Sequence, residues 1–443
     1  MQKRLAQLIL LLSLVLLAAC SPASQGGPAL VTAPATTATQ TSGPVNVYVG
    51  TIGDASDDGA VIALSGTTGQ PLWNHNTGHV ASSSPVLDHG VAYVGTDTSL
   101  IALSMQDGKQ LWSYATPNTA NVLGVENGLV FGMTNQDNPA IYALDASTGK
   151  ARWTYATSDT VEQAFLADGV IYASISKPNC HCSHAPTTLL ALNASDGSTK
   201  WQTSPYSDYF TIRQVANGLL YGSHATAEGP SNDLQVRRAS DGSVVWQFPK
   251  DSNTDLSLIA IDGTSLYVLT NDLSNFPDPG NSTVYALNAT TGATLWQTPI
   301  NKTAFFTGTL INQVIYLGAN DDSSLTALRA TDGKLLWQTA MDTPNGPTDK
   351  IVSAAAVIDG TVYLSTATGF AALKESDGSI VWKAPVAGFA YILAVQNGIV
   401  YCASSATDTN PAGQNAIIAL KASDGSSLWS YQVPAIFSTP VVG

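Results

Sequence analysis

Charged side chains are scarce in this chain of 443 residues, where they make up 11% of the composition. An average soluble domain has about 25%. Lysine and arginine number only 18 against 32 acidic residues, a formal net charge of −14, and the basic residues never form a run. Because nucleic-acid binding depends on clustered lysine and arginine, we expect no nucleic-acid partner. The hydrophobic content of 44% argues against a disordered polyelectrolyte.

Helical and cofactor-attachment patterns are also missing. No long segment repeats its apolar residues with the 3.6-residue period of a helix. The four cysteines include no Cys-x-x-Cys-His sequence of a c-type haem site, and no loop has the spaced carboxylates of a calcium loop. In contrast, 37 glycines and 22 prolines indicate many turns. The sequence therefore predicts an all-β fold.

The N-terminus has the pattern of an export signal. Two basic residues, Lys3 and Arg4, precede an apolar run from Leu8 to Ala19. This run is typical of a secretory signal peptide, residues 1–19, and is shorter than the about 20 residues needed to span a bilayer. It ends in Leu17-Ala18-Ala19-Cys20, which resembles a bacterial lipobox. The resemblance implies cleavage before Cys20 and a lipid on its sulfur, with ordinary secretion as the alternative.

The segment after Cys20 lacks the composition of a folded domain. Residues 21–44 are rich in Ser, Pro, Ala, Thr, Gln and Gly and carry no charge. Such a segment cannot bury enough apolar surface to fold, so residues 20–44 are predicted to be a lipidated cysteine and flexible tether. We expect residues 45–443 to fold outside the bacterial cytoplasm, anchored by lipid to a membrane on the cell surface or the periplasmic side.

One segment recurs nine times in the folded part. Its form is Ala-Leu-x-x-x-(Thr/Asp)-Gly-x-x-x-Trp, and in the fifth copy Val236-Arg237 replaces Ala-Leu. The first and last tryptophans are 356 residues apart over eight intervals, which averages 44.5 residues and suits a propeller blade of four strands. Every tryptophan of the chain belongs to a copy: Trp73, Trp112, Trp153, Trp201, Trp246, Trp296, Trp337, Trp382 and Trp429.

Each copy reads as four strands, which we name A to D. Strand B carries an aromatic residue such as Tyr93, strand C ends in Ala-Leu, and strand D carries the tryptophan. Turns such as Asn127-Gly128 join A to B, because Asn and Gly accept the positive φ of tight hairpins. The fold class is therefore a single β-propeller of four-stranded antiparallel blades with nine repeat units, and eight blades as the alternative.

The two ends of the folded part complement each other. Residues 438–443 read as a strand A without a strand B, and residues 46–50 read as a strand B without a strand A. We expect the N- and C-terminal strands to share one blade and close the ring, because an open array leaves unpaired sheet edges.

These repeats resemble the pyrroloquinoline quinone (PQQ) type β-propeller with its tryptophan-docking motif. The resemblance implies that each tryptophan packs between neighbouring blades, near the peptide planes of a turn. It also implies eight blades and an Asp two residues after the motif's Ala, where only Asp145 conforms. The order of signal, lipidated cysteine and repeats resembles the propeller lipoprotein of the outer-membrane β-barrel assembly machinery.

The same resemblance raises a quinoprotein dehydrogenase, which holds PQQ and calcium at the centre of its propeller. Here no adjacent cysteine pair occurs, every tryptophan already has a docking position, and Arg213 is the only arginine in an inner strand A. We therefore expect no catalytic residues and no cofactor, with PQQ and calcium as the less favoured case.

Two groups of candidate site residues lie at the rim that carries the B–C loops, the longest being residues 51–60, 174–188, 223–233, 270–283 and 404–415. Cys180, His181, Cys182 and His184 are a possible zinc or copper site, with a Cys180–Cys182 disulfide or neither as alternatives. Phe305, Phe306, Tyr209 and Phe210 are candidate rim aromatics for a small molecule or a glycan, unless they only pack against neighbouring loops.

The function predicted from the sequence is a membrane-anchored scaffold that binds another protein. We expect a monomer with a protein partner of unknown identity, attached to the membrane through the lipid on Cys20. The alternative is a small-molecule or glycan binding module.

Overall fold

The computed structural model describes most of the region that the repeats occupy. The described residues are 45–52, 59–135, 137–177, 186–204, 209–226, 229–248, 254–272, 282–300, 305–319, 324–341, 351–366, 369–386, 389–405, 415–436 and 438–443. The predicted signal peptide, Cys20, the tether, Cys180, His181, Cys182 and His184 lie outside these residues.

Nine antiparallel sheets account for the described strands. The first blade contains β1 (Asn46–Ile52), β2 (Ala60–Ser65) and β3 (Pro71–Asn76). No helix occurs within the described ranges, and none there could cross a membrane. Nine blades confirm the first prediction rather than the eight-bladed alternative.

Each of the next four blades runs through strands A to D in chain order. They are β4 (Val86–Asp88), β5 (Val91–Gly95), β6 (Ser99–Ser104) and β7 (Gln110–Ala115); β8 (Ala120–Glu126), β9 (Leu129–Thr134), β10 (Ala140–Asp145) and β11 (Ala151–Ala156); β12 (Thr160–Ala167), β13 (Val170–Ser176), β14 (Thr187–Asn193) and β15 (Thr199–Gln202); and β16 (Phe210–Ala216), β17 (Leu219–Thr226), β18 (Gly229–Arg238) and β19 (Val244–Phe248).

The sixth to ninth blades repeat this order. They are β20 (Thr254–Asp262), β21 (Ser265–Asp272), β22 (Ser282–Asn288) and β23 (Thr294–Ile300); β24 (Phe305–Ile311), β25 (Val314–Ala319), β26 (Ser324–Arg329) and β27 (Leu335–Ala340); β28 (Ile351–Ile358), β29 (Thr361–Thr366), β30 (Gly369–Lys374) and β31 (Ile380–Pro385); and β32 (Phe389–Gln396), β33 (Ile399–Ser405), β34 (Ala416–Lys421) and β35 (Ser427–Gln432).

The last two strands complete the first blade. Strands β36 (Ala435–Ile436) and β37 (Val441–Val442) both pair with β1, on the edge opposite β2. Asn46 and Gly443 also exchange two backbone hydrogen bonds of 2.9 and 3.0 Å. The predicted shared blade is therefore confirmed, although its strand A consists of two short pieces instead of one strand.

The Ala-Leu motif coincides with a local irregularity of every sheet. In all nine blades the register between strands C and D shifts between its two residues, as it does between Ala143 and Leu144. Such a bulge adds twist to the pair of strands. The repeat therefore places a bulge between strands C and D of every blade.

The core lies between the faces of adjacent blades. One cluster, for example, joins Leu325 and Ala327 of the seventh blade to Leu364 and Ala371 of the eighth. Strands A of neighbouring blades contact one another around most of the ring, as β12 does with β16 and β24 with β28. Strand A is therefore the innermost strand of a blade and strand D the outermost.

Candidate functional site

The nine tryptophans link each blade to the next. Every indole Nε1 donates a hydrogen bond of 2.7 to 3.0 Å to a backbone carbonyl in the C–D turn of the following blade. The last bond joins Trp429 to Gly66 and closes the ring. The acceptors, from Trp73 onward, are Met105, Ala146, Ala194, Ala239, Ala289, Ala330, Glu375, Ala422 and Gly66.

Each indole also lies over a turn glycine, and eight of the nine lie beside an aromatic ring of strand B. Gly149 has a φ of 68°, and a Cβ there would lie 2.6 Å from the indole of Trp112. In eight blades the strand-B aromatic packs against the tryptophan of its own blade, with ring centroids 5.8 to 6.4 Å apart. The turn, the indole and the aromatic ring together fill the wedge between blades, so these residues have a structural role.

Carboxylates hold several C–D turns in shape. Asp145 accepts hydrogen bonds from Ser147, Thr148 and Arg152, and these bonds hold the pKa of its carboxyl well below the usual range. The bond from Lys109 lowers the pKa of Asp107 to about 2. Their low pKa values therefore have a structural cause, capping of a turn, and do not indicate an acid or base for catalysis.

The B–C rim is uneven in length. The connection between β13 and β14 covers residues 177–186, and it contains the cysteine and histidine cluster that lies outside the described residues. The predicted loop of residues 223–233 is much shorter, because β17 continues to Thr226 and β18 begins at Gly229. A hairpin replaces that loop, since both strands extend their pairing toward the rim.

The candidate aromatics have different environments. Phe210 is fully buried, in a core cluster between the fourth and fifth blades, so it is not a surface residue. Tyr209 is half-buried. Phe305 and Phe306 are described by their backbone alone, which begins β24. The structure therefore does not bring the four residues together as one exposed patch.

The fifth blade carries a buried row of polar side chains that was not predicted from the sequence. Arg237, 5% exposed, occupies the position where all other blades have a buried leucine. Its Nε donates to Gln235 at 2.6 Å, its Nη1 donates to the carbonyl of Gly242 at 3.3 Å, and its guanidinium lies 4.7 Å from the ring centroid of Phe210. Replacement of Ala-Leu by Val236-Arg237 was the available signal.

The row continues from Gln235 through a second glutamine to a carboxylate. Gln235 donates to Gln247 at 3.3 Å, and Gln247 donates to Asp233 at 2.7 Å. Asp233 and Gln235 are 8% and 4% exposed. The fifth blade therefore has a row of hydrogen-bonded polar side chains along β18 and β19, and at the position of Arg237 the other blades have a leucine.

The described residues do not fit the quinone and calcium site that the resemblance implied. All nine tryptophans are held in docking positions. Within the described part of the chain, no three or more His, Cys, Asp or Glu side chains come together as metal ligands.

These features define a nine-bladed β-propeller of the tryptophan-docking type. The chain belongs to the family described as outer membrane protein assembly factor BamB, whose sequence model matches residues 30–127, 116–260, 254–390 and 371–443. The resemblance to PQQ-type propeller repeats is thus confirmed. No curated protein matches the sequence significantly.

Solved structures of low sequence identity are similar to this chain over about three quarters of its length. BamB from Moraxella catarrhalis is 18% identical with a TM-score of 0.44, over 74% of this chain and 94% of that one. Dihydro-heme d1 dehydrogenase NirN is 13% identical with a TM-score of 0.53, over 77% and 73%. The quinohemoprotein alcohol dehydrogenase from Comamonas testosteroni is 14% identical with a TM-score of 0.47, over 81% and 73%. Of these three, NirN alone has a TM-score above 0.5, and at 13% identity its similarity concerns the fold alone.

Proposed function

We propose that this protein is a lipid-anchored, extracytoplasmic scaffold whose propeller binds another protein without catalysing a reaction. The observation that carries the proposal is its membership of the family of an outer membrane protein assembly factor. The docking geometry agrees with it, because the residues that the repeats share are used to hold blades together. A rigid ring of this kind presents variable loops on a fixed frame.

The B–C rim is the favoured contact surface. Its connections differ in length from blade to blade, from two residues between β29 and β30 to ten between β13 and β14. The A–B turns on the opposite rim are short in all blades that have strands A and B in sequence. Selective binding of one partner requires a surface whose shape varies from blade to blade. The B–C rim is therefore better suited to recognition than the uniform A–B rim.

Site-specific crosslinking in cells distinguishes the two rims. A photoreactive amino acid at Thr98 or Asn138 lies on the B–C rim, and one at His89 or Asn127 lies on the A–B rim; all four residues are exposed. We expect one defined protein adduct from the first pair and none from the second. Equal adducts from both rims, or none from either, would contradict the proposal.

The membrane anchor has its own test. Cys20→Ser removes the sulfur that the lipid requires, so we expect the protein to leave the membrane fraction and to lose incorporation of labelled fatty acid. Cys402→Ser is the matched control, because Cys402 is fully buried in strand β33 and should not affect anchoring. Continued membrane attachment and labelling of the Cys20→Ser variant would refute lipidation at this residue.

Small-molecule or glycan binding stays the second candidate. It now rests on Tyr209, Phe305 and Phe306, since Phe210 is in the core. A quinoprotein dehydrogenase is less favoured, because the described residues do not fit its cofactors.

A further inference from the structure

Arg213 has an unusual position in the ring. It lies on β16, the innermost strand of the fifth blade, and none of the other innermost strands carries a lysine or arginine in its described residues. The register between β16 and β17 shifts between Ile212 and Gln214, so Arg213 is the extra residue of a β-bulge. Bulges commonly turn a side chain away from the regular alternation of a strand.

The surroundings of Arg213 are those of a partly enclosed space. Its side chain is exposed, yet loss of hydration lowers the pKa of its guanidinium. Both are expected when a side chain reaches the centre of the ring, where water has access and protein surrounds it. Over their described residues β16 and β20 have little contact, whereas β12 contacts β16 and β20 contacts β24.

Among the described residues, no carboxylate pairs with the guanidinium of Arg213. Its Nε donates to Oγ of Ser223 at 2.9 Å, and no described residue accepts a hydrogen bond from its terminal nitrogens. Glu162, on the innermost strand of the fourth blade, accepts instead from Ser176. Other arginines form ion pairs with carboxylates; for example, Nη2 of Arg152 lies 2.7 Å from Oδ2 of Asp145.

An arginine that is partly desolvated and unpaired is suited to an anion. The two oxygens of a carboxylate can accept two parallel hydrogen bonds from the N–H groups of a guanidinium. Ser223 holds Nε and leaves both terminal nitrogens available for that contact. We propose that Arg213 binds the carboxylate of a small molecule at the centre of the propeller. This adds a ligand site to the scaffold and does not depend on the identity of a protein partner.

Calorimetric titration of the chain from residue 20 tests the site, with Cys20→Ser in every variant to keep it out of membranes. Succinate and citrate are the probes, in 150 mM salt at neutral pH. We expect Arg213→Met to weaken binding by about tenfold to a hundredfold, the range for a hydrogen bond to a charged group. The control is Arg238→Met, an exposed arginine of the same blade bonded to Ser243, which should leave binding unchanged.

A second variant separates loss of the site from loss of the fold. Arg213→Lys keeps the charge but not the two-pronged geometry, so it should bind more weakly than the parent and more tightly than Arg213→Met. The proposal fails if the parent binds neither acid, if Arg213→Met binds as well as the parent, or if inorganic phosphate binds more tightly than both acids.

Discussion

At the scale of single residues, the contact between indole and turn glycine carries most of the information in the repeat. The indole of Trp112 is fixed by its 2.8 Å bond to Ala146, so it cannot move away from Gly149. Gly149 therefore meets two constraints together, a positive φ and the absence of a Cβ. A glycine in an A–B turn, such as Gly128, meets the first constraint alone.

This difference predicts unequal effects of two alanine substitutions. Gly128→Ala should lower the free energy of unfolding by about 1 to 2 kcal/mol, because it adds only strain at positive φ. Gly149→Ala should cost about 2 to 5 kcal/mol, since a Cβ 2.6 Å from the indole of Trp112 adds overpacking. Urea unfolding of the two variants measures both values. Equal losses would show that the indole does not constrain the turn.

At the scale of the blade, the fifth unit departs from the other eight. A leucine at the end of strand C needs nothing from its surroundings except apolar contact, whereas Arg237 needs acceptors. Asp233, Gln235 and Gln247 provide a connected series of polar groups along β18 and β19. A buried row of this kind stabilises the protein only when each member keeps its partner.

Because the polar groups of this row depend on one another, we expect a single substitution in it to destabilise the protein more than replacement of three of its residues. Arg237→Ala should lower the free energy of unfolding by about 2 to 4 kcal/mol, because Oε1 of Gln235 loses the hydrogen bond from Arg237 and a cavity opens. The triple variant Asp233→Ala, Gln235→Ile, Arg237→Leu should be neutral or stabilising, as in other replacements of buried polar groups by apolar ones.

Urea unfolding again provides the measurement, with Arg238→Ala as the control. That arginine is exposed, so its loss should change the unfolding free energy by less than about 0.5 kcal/mol. A triple variant that is less stable than Arg237→Ala would show that the polar row itself stabilises the fifth blade.

At the scale of the whole molecule, the sequence was sufficient to predict the architecture. It was not sufficient to predict the orientation and burial of side chains on β16 of the fifth blade. Nine tryptophans at a regular spacing predict nine blades, because each blade needs one indole to fill one wedge. The direction of a bulged side chain such as Arg213 depends on register, which spacing does not specify. Phe210 is buried because residues of the fourth blade pack against it. The spacing of the repeats does not show this contact, so the sequence alone predicted a position at the rim.

Ring closure predicts the effect of a short deletion. Without residues 435–443, β1 loses the pairing with β36 and β37 and presents an open edge. We expect self-association, because open strand edges pair with other chains, and loss of a single cooperative unfolding transition. Light scattering after gel filtration and urea unfolding measure the two effects. Deletion of nine tether residues, 21–29, is the control and should leave a monomer with unchanged unfolding.

The pairing of Val47 with Val442 has a consequence for the timing of folding. Synthesis of a chain proceeds from its first residue to its last, so β1 exists long before the strands that complete its sheet. During that interval β1 has an unpaired edge on the side opposite β2, whereas each of the other blades is built from four consecutive strands. The native ring is therefore complete only after the last strands have been made and have paired with β1.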